Sequence, residues 1–132
     1  MSGDFVVDSC LLIEYFRVKD KSKTFLARLI REGRQMGLST IVLFEILAGA
    51  NADQRNYWKD FLHNTVRLPF DERVAGFAAD LFRELRRKNR NSEPCDLFIA
   101  ATAMAYDLPL ATLNRKHFEP IEGLKLLLPE PK

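Results

Sequence analysis

Cysteine and histidine each occur only twice in the 132 residues, tryptophan once, and glycine and proline six times each. Two cysteines, Cys10 and Cys95, do not make a disulfide framework. A reducing, cytoplasmic location is therefore the simplest expectation. No stretch reaches the roughly 20 apolar residues of a membrane span, so no membrane partner is expected. Met1-Ser2-Gly3-Asp4 lacks the basic segment, apolar core and cleavage site of a secretory signal. The glycines form neither G-x-G-x-x-G nor G-x-x-x-x-G-K-[ST], which argues against a phosphate-cradling loop. No repeat, low-complexity segment or Pro/Gly/Ser-rich linker divides the chain, which reads as a single domain over residues 1–132.

What is present suits a packed domain. The chain is 47% hydrophobic and 29% charged, enough for a real core without disulfide staples and for solubility. Its net charge of +2 is unevenly placed: Arg83 to Asn91 carries five basic residues and one acid, and the rest is slightly acidic. A basic segment on an acidic body suits contact with phosphate at one place. It equally suits a solvated helix end whose cations complement the helix dipole.

Strand and helix patterns alternate. Asp4 to Asp8 reads as a buried first strand, and Ser9 as the cap of a helix carrying Leu11, Leu12, Tyr15 and Phe16. Lys21 to Met36 reads as an amphipathic helix ended by Gly37, with Phe25, Leu26, Leu29, Ile30 and Met36 as its apolar positions. Leu38 to Thr40 is a short strand, Ile41 to Ala50 an apolar helix, and Asp53 to His63 a helix with Tyr57, Trp58, Phe61 and Leu62 on one face. Thr65 to Leu68 is a third strand. Asp71 caps a long helix through Lys88 that turns Val74, Phe77, Ala78, Leu81, Phe82 and Leu85 inward. A loop at 89–94 leads to an alanine-rich helix, Cys95 to Tyr106. Leu108 to Thr112 turns into a fourth strand, Asn114 to Phe118 is a short turn or helix, and Leu124 to Leu127 is a last edge strand. Strands separated by helices predict an α/β fold of parallel βαβ units, with the site at the carboxyl ends of the strands.

Three acids sit in apolar surroundings: Asp8 after Phe5-Val6-Val7, Glu45 within Ile41 to Leu47, and Asp96 before Leu97-Phe98-Ile99-Ala100-Ala101. Lone buried carboxylates are costly, and three that converge repel one another unless a cation lies between them. Taken singly, each has an ordinary structural reading. Asp8 could cap a strand end, Glu45 could pair with an arginine, and Asp96 could cap its helix. The pattern together points to a divalent metal.

Phe5 to Ile13 resembles the first motif of PIN-domain nucleases, an apolar strand ending in Asp and a hydroxyl residue. Ser39 to Gly49 resembles the second, with Glu on an apolar helix, and Asp96 to Ala103 the third. Leu110 to Phe118, followed by Gly123-Leu124, is similar to the fourth. Order, spacing and length are most similar to the VapC toxins of VapBC toxin–antitoxin pairs. The resemblance implies a three-layer α/β/α sandwich around a central, mainly parallel sheet of about four to five short strands. It implies a toxin that cleaves RNA as an Mg²⁺- or Mn²⁺-dependent endoribonuclease, leaving a 5′-phosphate and a 3′-hydroxyl. It also implies a homodimer, and a VapB-type antitoxin whose peptide crosses the active-site groove.

Carried over by position, Asp8, Glu45 and Asp96 become the metal-binding acids, and Asn114 takes a fourth corner that is often Asp. An Asn there removes one negative charge, which predicts one firmly held ion and a second completed by substrate phosphate. Ser9 and Thr112 match hydroxyl positions that support the acids. Arg86, Arg87, Lys88, Arg90, Arg115 and Lys116 are candidates for holding RNA phosphates. His63 and His117 lie in different motifs and give no basis for a cyclising mechanism. His117 reads as a surface turn residue or a phosphate contact, and Cys10 and Cys95 as small apolar packing residues. Tyr57, Trp58 and Tyr106 read as core or interface residues, and Asp4, Glu14 and Glu93 as solvent-facing acids. The alternative class is a non-catalytic PIN-like domain that binds RNA or protein. A haloacid-dehalogenase-type phosphatase would need Asp at position 10, which is Cys.

Overall fold

The computed structural model describes residues 4–129. Five short strands alternate with seven helices: β1 (Phe5–Val7), α1 (Ser9–Arg17), α2 (Phe25–Arg31), β2 (Met36–Ser39), α3 (Thr40–Ala48), α4 (Ala52–Phe61), β3 (Val66–Leu68), α5 (Glu72–Arg87), α6 (Pro94–Ala105), β4 (Leu110–Ala111), α7 (Arg115–Phe118) and β5 (Leu126–Leu127). A single 3₁₀ turn, Lys21–Lys23, precedes α2.

The strands form one sheet in the order β3-β2-β1-β4-β5, and every pairing is parallel. β1 is central because Phe5, Val6 and Val7 are all fully buried, as a strand covered on both faces requires. From β1 the chain steps outward to β2 and β3, then returns across the sheet to β4 and β5. With the right-handed crossovers that parallel strands favour, the two directions of travel predict α1–α4 on one face and α5–α7 on the other. The reversal of strand order falls between β1 and β4. It opens a crevice at their carboxyl ends, where ligands bind in such sheets. Asp8 and Thr112 are the residues that immediately follow those two strands.

The predicted helix over Lys21–Met36 is divided. Thr24 caps α2 by accepting from the Ala27 amide, which separates the 3₁₀ turn. Gly33, at φ +80°, ends it in a Schellman turn, with Gly33 N–H donating to Ile30 O and Arg34 N–H to Leu29 O. Gly37 is not a helix stop but lies within β2, where a Cβ would come within 2.8 Å of Leu68 Cδ1 and 3.2 Å of Phe5 O. Met36 pairs with Phe5 in the sheet. The α1 cap is Asp8, not Ser9, which is the first residue of the helix.

On α5 the buried stripe is Val74, Ala78 and Leu85, while Phe77 and Phe82 are exposed instead of inward. The helix packs chiefly along α6, so its apolar seam is narrower than its apolar residue count. The pair is antiparallel: Arg73 reaches the Ala105 carbonyl at one end, and Phe82 shares a groove with Pro94 at the other. The basic end of α5 therefore lies at the same end as the start of α6. Tyr57, Trp58 and Phe61 of α4 cluster with Tyr15 and Phe16 of α1, with ring centroids 5.0 Å apart for both Tyr15–Phe61 and Phe16–Tyr57. This anchors α1 over the sheet.

Candidate active site

Asp8 is almost fully buried, yet each carboxylate oxygen is supplied with donors. Oδ1 accepts from the Ser9 amide at 2.9 Å, at the amino terminus of α1. Oδ2 accepts from the Thr112 hydroxyl at 2.7 Å and the Cys10 thiol at 3.3 Å. The Asp8 amide continues the β1–β4 ladder by donating to Ala111 O at 3.0 Å. Asp8 is thus both a helix cap and the fixed corner of the crevice.

Glu45 enters from the second turn of α3. It is half-buried, and its Oε1 is sealed from solvent with no hydrogen-bond partner. Burial pushes its carboxyl above the ordinary range; the Ser9 side chain opposes this, and Asp8, Asp96 and Glu93 add repulsion. No arginine pairs with it among the described residues, so the structural alternative for Glu45 fails. The same residue lines a cleft of about 200 Å³ together with Ile13, Phe16, Arg17, Ile46, Gln54 and Trp58.

Asp96 lies in the first turn of α6, where the positive end of the helix dipole favours an anion. The cap of that helix is Glu93, so Asp96 is not spent on capping. Its Oδ2 stands 3.2 Å from His117 Nδ1 on α7. Burial raises its carboxyl above the usual range, His117 counters, and Asp8 and Glu93 raise it further.

Asp8, Glu45 and Asp96 therefore share one electrostatic neighbourhood, supplied by β1, α3 and α6. Among the described residues, however, no three His, Cys, Asp or Glu side chains close on a single point as a ready-made cage. His117 stands against Oδ2 of Asp96. The donor set still fits a hard divalent ion. It consists of carboxylate oxygens, one of them desolvated and without a donor, and Mg²⁺ needs only one or two carboxylates because it keeps several waters.

Asn114 lies exposed just after β4, its amide donating to the Thr112 hydroxyl at 2.9 Å. With Leu113, Arg115, Lys116, His117 and Glu119 it lines an open depression of about 560 Å³. The Ser9 side chain interacts with Glu45, and the Thr112 hydroxyl donates to Asp8. Two acidic-site features were not legible from composition. Glu93, read as merely solvent-facing, is exposed but acts on Glu45, Asp96 and Cys95. Its place one turn before Asp96 was the available signal. Cys10, read as apolar packing, makes polar contacts to both strand ends.

The basic candidates divide. Arg87 pairs with Glu84, Lys88 with Glu122 at 2.6 Å, and Arg115 with Glu119 at 2.9 Å. Arg86 stacks over the Phe82 ring. Arg90 and Lys116 have no side-chain ion partner among the described residues. None of these ion pairs is buried, so each contributes little to stability.

A sequence model of the PIN domain matches residues 5–123. Ribonuclease VapC10 of Mycobacterium tuberculosis is 34% identical over 121 residues, covering 91% of this chain and 90% of the relative. Ribonuclease VapC19 of the same species is 30% identical over 113 residues, covering 86% and 90%. Among solved structures, a DNA-bound VapBC complex from Salmonella typhimurium superposes with a TM-score of 0.84 at 25% identity, covering 97% of this chain and 98% of that one. VapBC2 of Rickettsia felis, bound to a promoter DNA fragment, gives 0.82 at 21% identity, covering 96% and 99%. The match runs from the first residue of β1 to the turn before β5, across every element that supplies an acid, and the chain belongs to the PIN domain family.

Proposed function

We propose that this chain is the toxin of a VapBC-type pair, an endoribonuclease dependent on Mg²⁺ or Mn²⁺ and acting in the cytoplasm as a homodimer. What supports the reading is that Asp8, Glu45 and Asp96 act on one another electrostatically near the carboxyl ends of β1 and β4. There Glu45 Oε1 is desolvated without a donor. The naming of VapC10 and VapC19 as ribonucleases supports it.

In this reading Asp8, Glu45 and Asp96 hold the ion. When bound, the ion polarises a phosphoryl oxygen and lowers the pKa of an attacking water. The chain's own residues set the geometry. Thr112 fixes the Asp8 carboxylate, and Ser9 restrains Glu45. Asn114, exposed at the rim, orients water or a phosphate oxygen without adding charge. Arg90 and Lys116, with Arg86, Arg87, Lys88 and Arg115, hold flanking RNA phosphates. The cleft of Ile13, Phe16, Ile46 and Trp58, which Glu45 and Arg17 also line, suits an antitoxin segment carrying apolar side chains beside a charged one.

The test is cleavage of RNA by the purified chain with Mg²⁺, Mn²⁺ or chelator. Metal-dependent products bearing 5′-phosphate, abolished by Asp8→Ala and by Asp96→Ala, are expected. Activity surviving both substitutions would overturn the mechanism, and RNA binding without cleavage would favour a non-catalytic domain.

A further inference from the structure

Cys10 lies two residues after Asp8, on the first turn of α1, and touches three groups. Its thiol donates to Asp8 Oδ2 at 3.3 Å, and its sulfur accepts the Leu113 amide at 3.3 Å. The Thr112 hydroxyl is 3.7 Å away. Thr112 repeats the same arrangement: its hydroxyl donates to Asp8 Oδ2 and accepts the Asn114 amide. The protons balance. Thiol and hydroxyl each have one, and both go to Oδ2; their lone pairs receive two consecutive amides of the loop after β4. Asp8 is thereby joined to the backbone of Leu113 and Asn114 by two parallel one-atom bridges.

We propose that Cys10 is a positioning residue for the reaction assigned above, on which this inference rests. It holds the Asp8 carboxylate in one rotamer and fixes the loop that carries Asn114, so that both corners of the site move as one piece. The role needs an atom that donates and accepts at once. A filler of the same volume lacks it, and the loop amide would turn to solvent because Leu113 is already exposed. A serine hydroxyl has the same donor and acceptor capacity on a shorter bond, so Cys10→Ser should retain the bridge where Cys10→Ala breaks it.

The experiment compares wild type, Cys10→Ser and Cys10→Ala by three readouts: Mn²⁺ affinity by calorimetry, exchange of the Leu113 and Asn114 amides by NMR, and kcat and KM on one RNA. Cys10→Val, which fills the space with apolar atoms and offers neither donor nor acceptor, replaces Cys10→Ala should that variant fail to fold. Loss of the bridge should weaken Mn²⁺ binding or lower kcat by about tenfold, with KM little changed. Exchange of the Leu113 amide should accelerate, and Cys10→Ser should recover most of each effect. Wild-type amide exchange and Mn²⁺ affinity in Cys10→Ala, or a Cys10→Ser protein no better than Cys10→Ala, would overturn the proposal. A wild type that cleaves no RNA removes the functional reading alone, since amide exchange still decides whether Cys10 holds the loop.

Discussion

The Thr112 hydroxyl donates to Asp8 Oδ2 at 2.7 Å across 104 positions of sequence, tying the end of β4 to the end of β1. Both residues are buried, so the bond has no water to replace it. Thr112→Val keeps the shape and removes the donor. It should destabilise the fold by about 1.5–3 kcal/mol, the range for a hydrogen bond to a charged group. It should also lower cleavage about 10- to 100-fold, as loss of a group behind a metal ligand does. Urea denaturation and kcat measured on one preparation check both.

Glu45 and Asp96 both have carboxyls raised above their ordinary values, by burial first and then by neighbouring acids. A carboxyl raised in the folded state is protonated more readily there than in the unfolded chain. It therefore favours folding at low pH, and the contribution fades as pH climbs from the unfolded value through the folded one. The metal-free protein should lose stability from these two groups as pH rises above the ordinary carboxylate range. Divalent ions should restore it there and have little effect under acid conditions, where protons compete. Melting temperatures at pH 5 and pH 7.5, with and without Mg²⁺, would show it. An equal Mg²⁺ shift at both values would contradict the placement of the acids.

Glu45→Gln separates charge from shape. The buried Oε1 makes no hydrogen bond, and Gln keeps an oxygen that can accept from the Ser9 side chain while relieving repulsion with Asp8, Asp96 and Glu93. The variant should melt no lower than wild type in the absence of metal, yet lose about 100-fold or more in cleavage if the acid binds the ion. Calorimetric titration with Mn²⁺ on the same protein gives the affinity lost.

Much of this site was readable in the chain because each acid is flanked by an apolar run, and apolar runs fix both burial and direction. Phe5-Val6-Val7 reads as a buried strand, which puts Asp8 at its carboxyl end. The order of strands was not readable: nothing local in Leu110-Ala111 says that it pairs with β1. Glycine misled where its reason was tertiary. Gly33 ends α2 through its own φ, a local property, whereas Gly37 is needed because Leu68 and Phe5 crowd it from other strands. Phe77 and Phe82 share the helical period of the core, but α6 is the element that covers α5, and it reaches only one stripe. Cys10 illustrates the same limit, since its role depends on Leu113, 103 positions away.

Cys10 also has a chemical consequence. Burial, and then the charge of Asp8, push its thiol up to about 12, so almost no thiolate exists at neutral pH. Iodoacetamide at pH 8 should label native Cys10 far more slowly than the same residue in urea-unfolded protein. Cys95 is raised by burial as well, but it sits at the exposed start of α6 and should react first. Peptide mass mapping over a time course distinguishes the two sites. Rapid labelling of native Cys10 would show that the sulfur is not held between Asp8 and Leu113.

Arg90 and Lys116 lie at the same end as the acids and make no side-chain ion pair among the described residues, whereas Arg87 and Arg115 are already paired with Glu84 and Glu119. A cation free of protein acids gives more to an incoming phosphate, because no existing pair must be broken first. Arg90→Gln and Lys116→Gln should therefore raise KM for RNA more than Arg87→Gln or Arg115→Gln, with kcat nearly unchanged. The effect should be similar across unrelated sequences, since phosphate contacts position a substrate without reading its bases. Each lost contact should also reduce the slope of log affinity against log salt by roughly 0.7, the single-strand value. RNA binding to the Asp8→Ala protein, titrated at several salt concentrations, measures that slope apart from cleavage. An unchanged slope in the Arg90→Gln, Lys116→Gln double variant would place the RNA path elsewhere on the surface.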